Sequence, residues 1–400
     1  MQTPQKTSYD VVIVGGAMYG SSVAWWLSRN PDFDGSILVV ERDPTYEFSS
    51  TSHTNSCIRQ QFSAEVNIKI SQFGAEFIHG FQEFMQDDEA PEIVLQSYGY
   101  LYLADNEAFA ATLKDSQKTQ QRLGAGTKYM TADEIHAAYP FYNLDGIIGG
   151  NHNLINEGYF DGGTIFDWWR RKARAQGAEY LHNEVLEITK NATGDRIESV
   201  TLASGDVVSC GMLVNCSGPR GAHTARMAGL DIPVEPRKRF TWIFSAEQPL
   251  DRELPLTIDP SGVHFRQDGP QTYLAGGHLA HDPAVAFDDF EMDHDIWQDK
   301  IWPTVAARIP QFEAIKVITQ WAGHYDYNTL DHNAILGPHP EIENFYFTNG
   351  FSGHGLQQSP AMGRGTSEML IYGEYRTLDL SPFGYERIAE GRPFSESAII

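Results

Sequence analysis

The chain has 400 residues, enough to bury a large core and to form two domains rather than one. Hydrophobic residues make up 41% and charged residues 20%, globular values that exclude wholesale disorder. A formal net charge of −24 repels phosphate backbones and anionic membrane surfaces, so no nucleic-acid partner is expected.

The three cysteines, Cys57, Cys210 and Cys216, show no Cys-x-x-Cys spacing and no His-rich companion motif. Neither a metal site nor a disulfide framework is expected, and a reducing cytoplasm is the simplest compartment. Residues 1–9 are polar and lack the basic start and apolar run of a signal peptide. No stretch approaches the ~20 apolar residues of a membrane span.

In chain order, Val11-Val12-Ile13-Val14 is short, β-branched and followed by glycines, the pattern of a buried parallel strand. Residues 21–29 predict a helix with Val23, Ala24 and Leu27 on its inner face. Ile37-Leu38-Val39-Val40, ending at Glu41, predicts a second strand. Together they fit one βαβ unit of about 30 residues. From Ala64 onward Val66, Ile70, Phe73, Phe77, Phe81 and Phe84 recur at helical spacing, predicting one long amphipathic helix whose aromatic stripe is core. The acidic loop 86–91 marks a domain crossing. Thr131-Ala132-Asp133-Glu134 has the capping-box pattern, and residues 164–176 predict a helix stopped at Gly177. Short strands follow over 180–188, 197–202 and 207–215, and 242–274 is β-rich. The acidic stretch 288–295 reads as a solvated helix start.

Two motifs carry chemistry. Gly15-Gly16-Ala17-Met18-Tyr19-Gly20 lies between strand and helix, where a pyrophosphate needs a tight turn, close backbone approach and amides at a helix N-terminus. Gly15 supplies the turn and Gly20 the close packing, while Ala17 adds a methyl where a middle glycine is usual. Glu41, at the end of the second strand, stands where a carboxylate binds ribose hydroxyls. The second motif, Phe351-Ser352-Gly353-His354-Gly355-Leu356-Gln357-Gln358, precedes a predicted helix over 359–372. A glycine-led helix entry suits a group that gains negative charge, such as the N1/C2=O edge of a flavin on reduction. Paired, the motifs imply one cofactor site built by both chain ends.

These runs, with Arg42, Ser49-Ser50-Thr51-Ser52-His53 and residues 213–218, resemble the D-amino-acid oxidase superfamily. They fall in its sarcosine oxidase, glycine oxidase and dimethylglycine dehydrogenase branch. Within it the chain is most similar to the FAD-dependent oxidoreductase domain-containing group associated with complex I assembly, a likeness that continues through Thr377-Leu378-Asp379-Leu380-Ser381-Pro382-Phe383.

The resemblance implies FAD. Gly15, Gly16, Ala17, Met18, Tyr19 and Gly20 would hold its pyrophosphate, Glu41 the adenosine ribose, and Arg42 would lie by the adenine, which Val185 pairs through its backbone. Ser49, Ser50, Thr51, Ser52 and His53 would follow the pyrophosphate and ribityl chain. Ser217 and Gly218 belong to the same cofactor set, and Gly353, His354, Gly355, Leu356 and Gln357 would cover the flavin edge. Non-covalent FAD is the first expectation. The resemblance also leaves open a histidyl bond through His53, the position dimethylglycine dehydrogenases use. His324 stands where monomeric sarcosine oxidases carry their cysteine tether, ahead of Asn328-Thr329-Leu330-Asp331.

The implied chemistry is hydride removal from a carbon beside an amine nitrogen, with hydrolysis of the imine. An anionic substrate wants an arginine fork, for which Arg59 is the first candidate and Arg266 the second. His278, His324 and Tyr325 fall in segments that the resemblance brings to the active site. Two departures stand out: Leu274 replaces the lysine that activates oxygen in sarcosine oxidases, and Gln357 replaces a lysine that holds the substrate carboxylate. The first favours a dehydrogenase passing electrons to a carrier over an oxidase using oxygen; the second, a different anchor or a substrate other than sarcosine.

The expected fold is α/β: a Rossmann-like FAD-binding domain from residues 1–90, 150–225 and 322–385, an interleaved α+β substrate domain with a mixed or antiparallel sheet from 91–149 and 226–321, and a C-terminal tail over 386–400. The expected function is FAD-dependent oxidation of the C–N bond of a secondary or tertiary amino acid, N-methyl or N-carboxyalkyl. The rival is a flavoprotein that serves assembly or partner binding. A third reading, an NAD-dependent dehydrogenase on the same βαβ unit, is opposed by the C-terminal glycine loop. No feature sets an oligomeric state.

Overall fold

The β-branched run near the N-terminus forms the strand Ser8–Val14 at the centre of an eight-stranded sheet, in a computed structural model that describes residues 1–397. It pairs in parallel with Ile37–Glu41 on one side and Val207–Asn215 on the other. Glu179–His182 extends the sheet beyond the first neighbour, and Phe345–Asn349 beyond the second, both parallel. Ile335–Pro338 closes one edge antiparallel, and the hairpin Val185–Lys190 with Ile197–Leu202 branches off Val207–Asn215. One face is covered by the helices Met18–Ser28, Gly162–Ala175 and Gly355–Tyr372. A buried aromatic group with Trp25, Phe77 and Trp169 fills the space beneath them.

The second sheet also has eight strands, in the order Ile315–Asn328, Val234–Ala246, Thr272–Gly277, His264–Gln267, Leu256–Ile258, Tyr100–Ala104, Gly149–Asn153, Lys128–Thr131. Every pairing is antiparallel except Leu256–Ile258 with Tyr100–Ala104. Strand alternation sorts its two faces. Trp242, Phe244 and Tyr273 pack outward against Trp297 and Phe312. Arg239, Thr241 and His264 point to the other face, toward the first sheet. Among the described residues no helix is long and apolar enough to cross a membrane.

Several sequence expectations change. The aromatic stripe belongs to two helices, Glu65–His79 and Phe81–Met85, because Gly80 ends the first, its N–H bonding Glu76 O at 2.9 Å. Two domain crossings fall inside strands. Gly149–Asn153 belongs to the second sheet although residue 150 was the expected return to the first. Ile315–Asn328 runs unbroken along Val234–Ala246 and past the expected crossing at 322. The stretch 288–293 is not helical; the helical segment starts only at Asp295, where the Asp293 carboxylate accepts from Asp295 N and Ile296 N.

The expected tail is docked rather than trailing over 386–397, and its residues 398–400 lie outside the described residues. Arg387 is buried against Asp331 (2.7 Å), and the Glu396 carboxylate accepts from Ser63 N (2.6 Å) and Asn67 Nδ2 (2.6 Å). The capping box is realised: Glu134 N donates to Thr131 Oγ1 and Thr131 N to Glu134 Oε2.

Candidate active site

The first glycine motif turns at Gly15, whose φ of +96° is closed to most side chains and whose Cβ would lie 2.5 Å from Cys216 O. A Cβ on Gly20 would meet Gly15 O at 1.9 Å, so helix and strand touch through bare backbone. Ala17 caps the helix with an ordinary φ of −73°, which is why its methyl is accommodated. Gly16 N and Asp43 N each donate to the Glu41 carboxylate at 2.8 Å. Burial raises the Glu41 pKa against these two amides. Met18 N donates to Thr51 Oγ1 (3.2 Å), tying the serine-rich loop to the helix start.

The second motif turns through Gly350, Ser352 and Gly353, all at positive φ. Asp326, absent from the sequence reading, holds this turn. Its carboxylate accepts from Gly350 N (2.9 Å) and Phe351 N (3.2 Å), and its carbonyl from Ser352 N (3.1 Å). Burial pushes the Asp326 carboxyl up to about 7 in spite of these donors. Tyr19 Oη donates to Asp326 Oδ1 (3.3 Å), and the Tyr19 ring stacks on Phe351 at 4.1 Å. A Cβ on Gly355 would lie 1.9 Å from Tyr19 Oη. The tail loop therefore rests directly on the head helix.

Between the two motifs lies a cavity of about 540 Å³. Of the expected cofactor residues, Gly15, Ala17, Met18, Tyr19, Glu41, Arg42, Ser49, Ser50, Thr51, His53, Val185, Ser217, Gly218, Gly353, His354, Gly355, Leu356 and Gln357 line it. Gly16, Gly20 and Ser52 stand behind this wall, where Ser52 Oγ donates to Tyr46 O (2.7 Å) and shapes the loop. The helix N-termini at Met18 and Gly355 both open on the cavity. Two such amide clusters, with a carboxylate at the far end of the neighbouring strand, fit the phosphates, the redox ring and the ribose of one dinucleotide.

Of the expected catalytic residues, Arg59, His324 and Tyr325 line the cavity; Arg266 and His278 do not. Arg59 is 3% exposed. Its N–H is fixed by Gln357 Oε1 (2.9 Å), and Nη2 donates to His354 Nε2 (3.1 Å). Its guanidinium stands over the rings of Phe62 (4.3 Å) and Tyr102 (5.9 Å). Arg266 sits one layer back because its guanidinium is committed to Gln267 O (2.6 Å), Asn55 O (3.0 Å) and Asp268 (3.2 Å). His278 lies past the strand end, its Nδ1–H donating to Leu279 O (2.8 Å).

His264, which sequence reasoning passed over, lines the cavity instead. A period of two from Arg266 was the signal that could have found it. Arg239 also lines the cavity but pairs bidentately with Asp282 (2.7 and 3.0 Å) and stacks over Tyr325 (4.6 Å). The misread acidic segment forms a strap along the cavity's edge. Asp289 pairs with Lys238 (2.7 Å), its carbonyl accepts from His324 Nε2 (2.8 Å), and Phe290 stacks on the His324 ring at 4.2 Å. His53 is on the same side, with ring centroids 5.9 Å from Phe290.

Two sheets closing on one cavity, with a dinucleotide turn at one end and a glycine-led helix entry at the other, define a two-domain flavin-dependent oxidoreductase. The chain belongs to the DAO family, described as FAD dependent oxidoreductase, whose family model matches residues 10–369. FAD-dependent oxidoreductase domain-containing protein 1 of Xenopus laevis is 37% identical over 423 residues, covering 98% of this chain and 85% of that protein. Sarcosine oxidase subunit beta of Rhodobacter capsulatus is 23% identical over 408 residues, covering 98% and 91%. In fold, the crystal structure of L-proline dehydrogenase from P. horikoshii matches with a TM-score of 0.83 at 23% identity, covering 98% of this chain and all of that one.

Proposed function

We propose that this protein oxidises the C–N bond of a secondary or tertiary amino acid, N-methyl or N-carboxyalkyl, with FAD as the immediate electron acceptor. The observation that carries this reading is Arg59. It is a buried guanidinium lining the cavity, with no carboxylate partner among the described residues and with Nη1 free of any protein hydrogen bond. A buried cation of this kind calls for an anionic ligand, and a carboxylate meets its fork geometry.

When bound, the flavin supplies a two-electron acceptor for the hydride on the carbon next to nitrogen. The chain does the rest. Arg59 takes the carboxylate, and Gln357, held by the Arg59 backbone, offers its amide N–H groups beside it. The amides at Gly355 and Leu356 stabilise negative charge at the cofactor's far edge. His354 is kept neutral by burial and by the adjacent Arg59, so it acts as a steady hydrogen-bond partner rather than a second charge. The strap at Phe290 keeps water from the reacting atoms. Leu274, buried on the strand beside Arg266, stands where the resemblance puts the oxygen-activating lysine of sarcosine oxidases, which favours electron transfer to a carrier over rapid reaction with oxygen.

Anaerobic mixing of flavin-loaded protein with a panel of N-substituted amino acids tests the reading. Bleaching of the flavin absorbance by at least one of them, with a slower return in air than with an artificial carrier, is the expected result. A panel that leaves the absorbance untouched overturns it.

A further inference from the structure

At its rim the cavity carries a row of aromatic rings that recognition of an amino acid does not use. Phe48 is 56% exposed, and no other aromatic side chain among the described residues is exposed to the same class. A lone exposed apolar side chain needs no explanation, but this one continues a row of rings out of a cavity. Phe48, Phe290, His53 and His324 all line it. The centroids of Phe48 and Phe290 are 5.1 Å apart, Phe290 lies on His324 at 4.2 Å with 13° between the planes, and His53 stands 5.9 Å from Phe290. The row sits at the end of the cavity where the second glycine turn lies. Tyr325, the residue after His324, packs so closely on that turn that a Cβ on Gly353 would collide with its ring. Arg59 is not part of the row, since its guanidinium lies over Phe62 and Tyr102. Charge narrows what can dock. Glu47 and Glu291, the sequence neighbours of the two phenylalanines, are exposed carboxylates, and Lys238 is already paired with Asp289. An anionic oxidant is repelled here.

We propose that Phe48 and Phe290 form the docking site of the electron acceptor, and that this acceptor is a neutral planar quinone stacked on the Phe48 ring. The proposal rests on the carrier-linked oxidation argued above and names the chemical class of the carrier. In this step the reduced flavin loses two electrons and two protons and returns to its oxidised form. The quinone gains both, its two carbonyls becoming hydroxyls, so no further reactant is consumed. Ring electrostatics suit the exchange. The face of a phenylalanine ring is negative, and the electron-poor quinone meets it better than the electron-rich hydroquinone does. The oxidised form is thus held in preference to the product, which leaves. Position suits it too, because the row joins solvent at Phe48 to the redox end of the cavity at His324 without crossing the Arg59 side.

The test isolates the second half of the reaction. FAD-loaded protein is reduced stoichiometrically with dithionite, so that no amine is needed, and mixed anaerobically with duroquinone or with ferricyanide. The return of the flavin absorbance is followed over a range of acceptor concentrations. Duroquinone is expected to give a rate that saturates. Phe48→Ser, at a position too exposed to disturb the core, is expected to raise the half-saturating concentration about tenfold, the effect of one lost aromatic contact. Phe48→Trp restores it, and Phe290→Leu, which keeps an apolar side chain without the ring, also weakens it. Ferricyanide is an octahedral anion that cannot stack, and its rate is expected to stay roughly unchanged in all three variants. A duroquinone rate that does not saturate, one unchanged in both Phe48→Ser and Phe290→Leu, or equal losses with the two acceptors overturns the proposal. Bleaching by amines with duroquinone indifferent to both phenylalanines removes this site and leaves the oxidation reading standing; a duroquinone reaction that depends on Phe48, with no amine bleaching, does the reverse.

Discussion

Arg59 combines a fixed backbone, a guanidinium steered by His354 and an unengaged Nη1. Lysine at this position keeps the charge but not the fork. Arg59→Lys is expected to reduce kcat/KM by roughly 30- to 1,000-fold, about 2–4 kcal/mol of lost recognition, with most of the change in KM. Steady-state kinetics on the best amine of the panel checks it. Glu157, fully buried, lies just behind: it accepts from Gln60 N (2.6 Å) and Gln61 Nε2 (2.9 Å) and so braces the segment that carries Arg59. Burial pushes its carboxyl from 4.5 up to about 7. The folded chain therefore holds that proton more tightly than the unfolded one, and the stability this lends below pH ~4.5 is lost as pH rises to ~7. Glu157→Gln is expected to gain stability relative to wild type at pH 8 compared with pH 5. Urea unfolding at the two pH values measures the difference; an equal effect at both would exclude it.

At the scale of elements, the meeting of the two glycine turns is the most sensitive joint. Gly355→Ala would press a methyl into the Tyr19 hydroxyl, and the helix entry must shift. The expected outcome is a protein destabilised by about 1–3 kcal/mol with weakened retention of FAD, seen as flavin lost on gel filtration. The βαβ unit was legible in the sequence because its signals are local: an apolar run, glycines and an acid at fixed offsets. Asp326 and His264 were not, since each acts across an element brought in from far along the chain, Gly350–Ser352 for one and Asn55 for the other. The acidic segment 288–293 was misread for a related reason. Charge suggested a solvated helix start; Asp288 and Glu291 are exposed as expected, but Lys238 pairs with Asp289 and holds the segment in an irregular path along the cavity. Arg266 and His278 stand outside the cavity wall because their side chains are committed to backbone carbonyls and Asp268, partners that sequence position does not reveal.

Across the whole molecule the C-terminus acts as a brace. Arg387 joins Asp331 in a buried pair and also donates to Phe383 O (2.6 Å) and Ala334 O (2.8 Å). Asp331 in turn receives Asn328 Nδ2 (2.9 Å), at the end of the strand that carries Asp326. Arg387→Ala would strand an uncompensated buried carboxylate, and a loss of about 3–5 kcal/mol is expected in urea unfolding.

That same strand, Ile315–Asn328, belongs to both halves of the molecule. Its whole length pairs with Val234–Ala246, while His324 O accepts from Ser50 Oγ (2.6 Å) and Asp326 O from Ser352 N (3.1 Å), both on nucleotide-side loops. A continuous β-ribbon riveted to both bodies leaves no hinge between them. Any relative movement of the two bodies must then bend this ribbon, so the width of the cavity between them is held by a strand rather than by a linker.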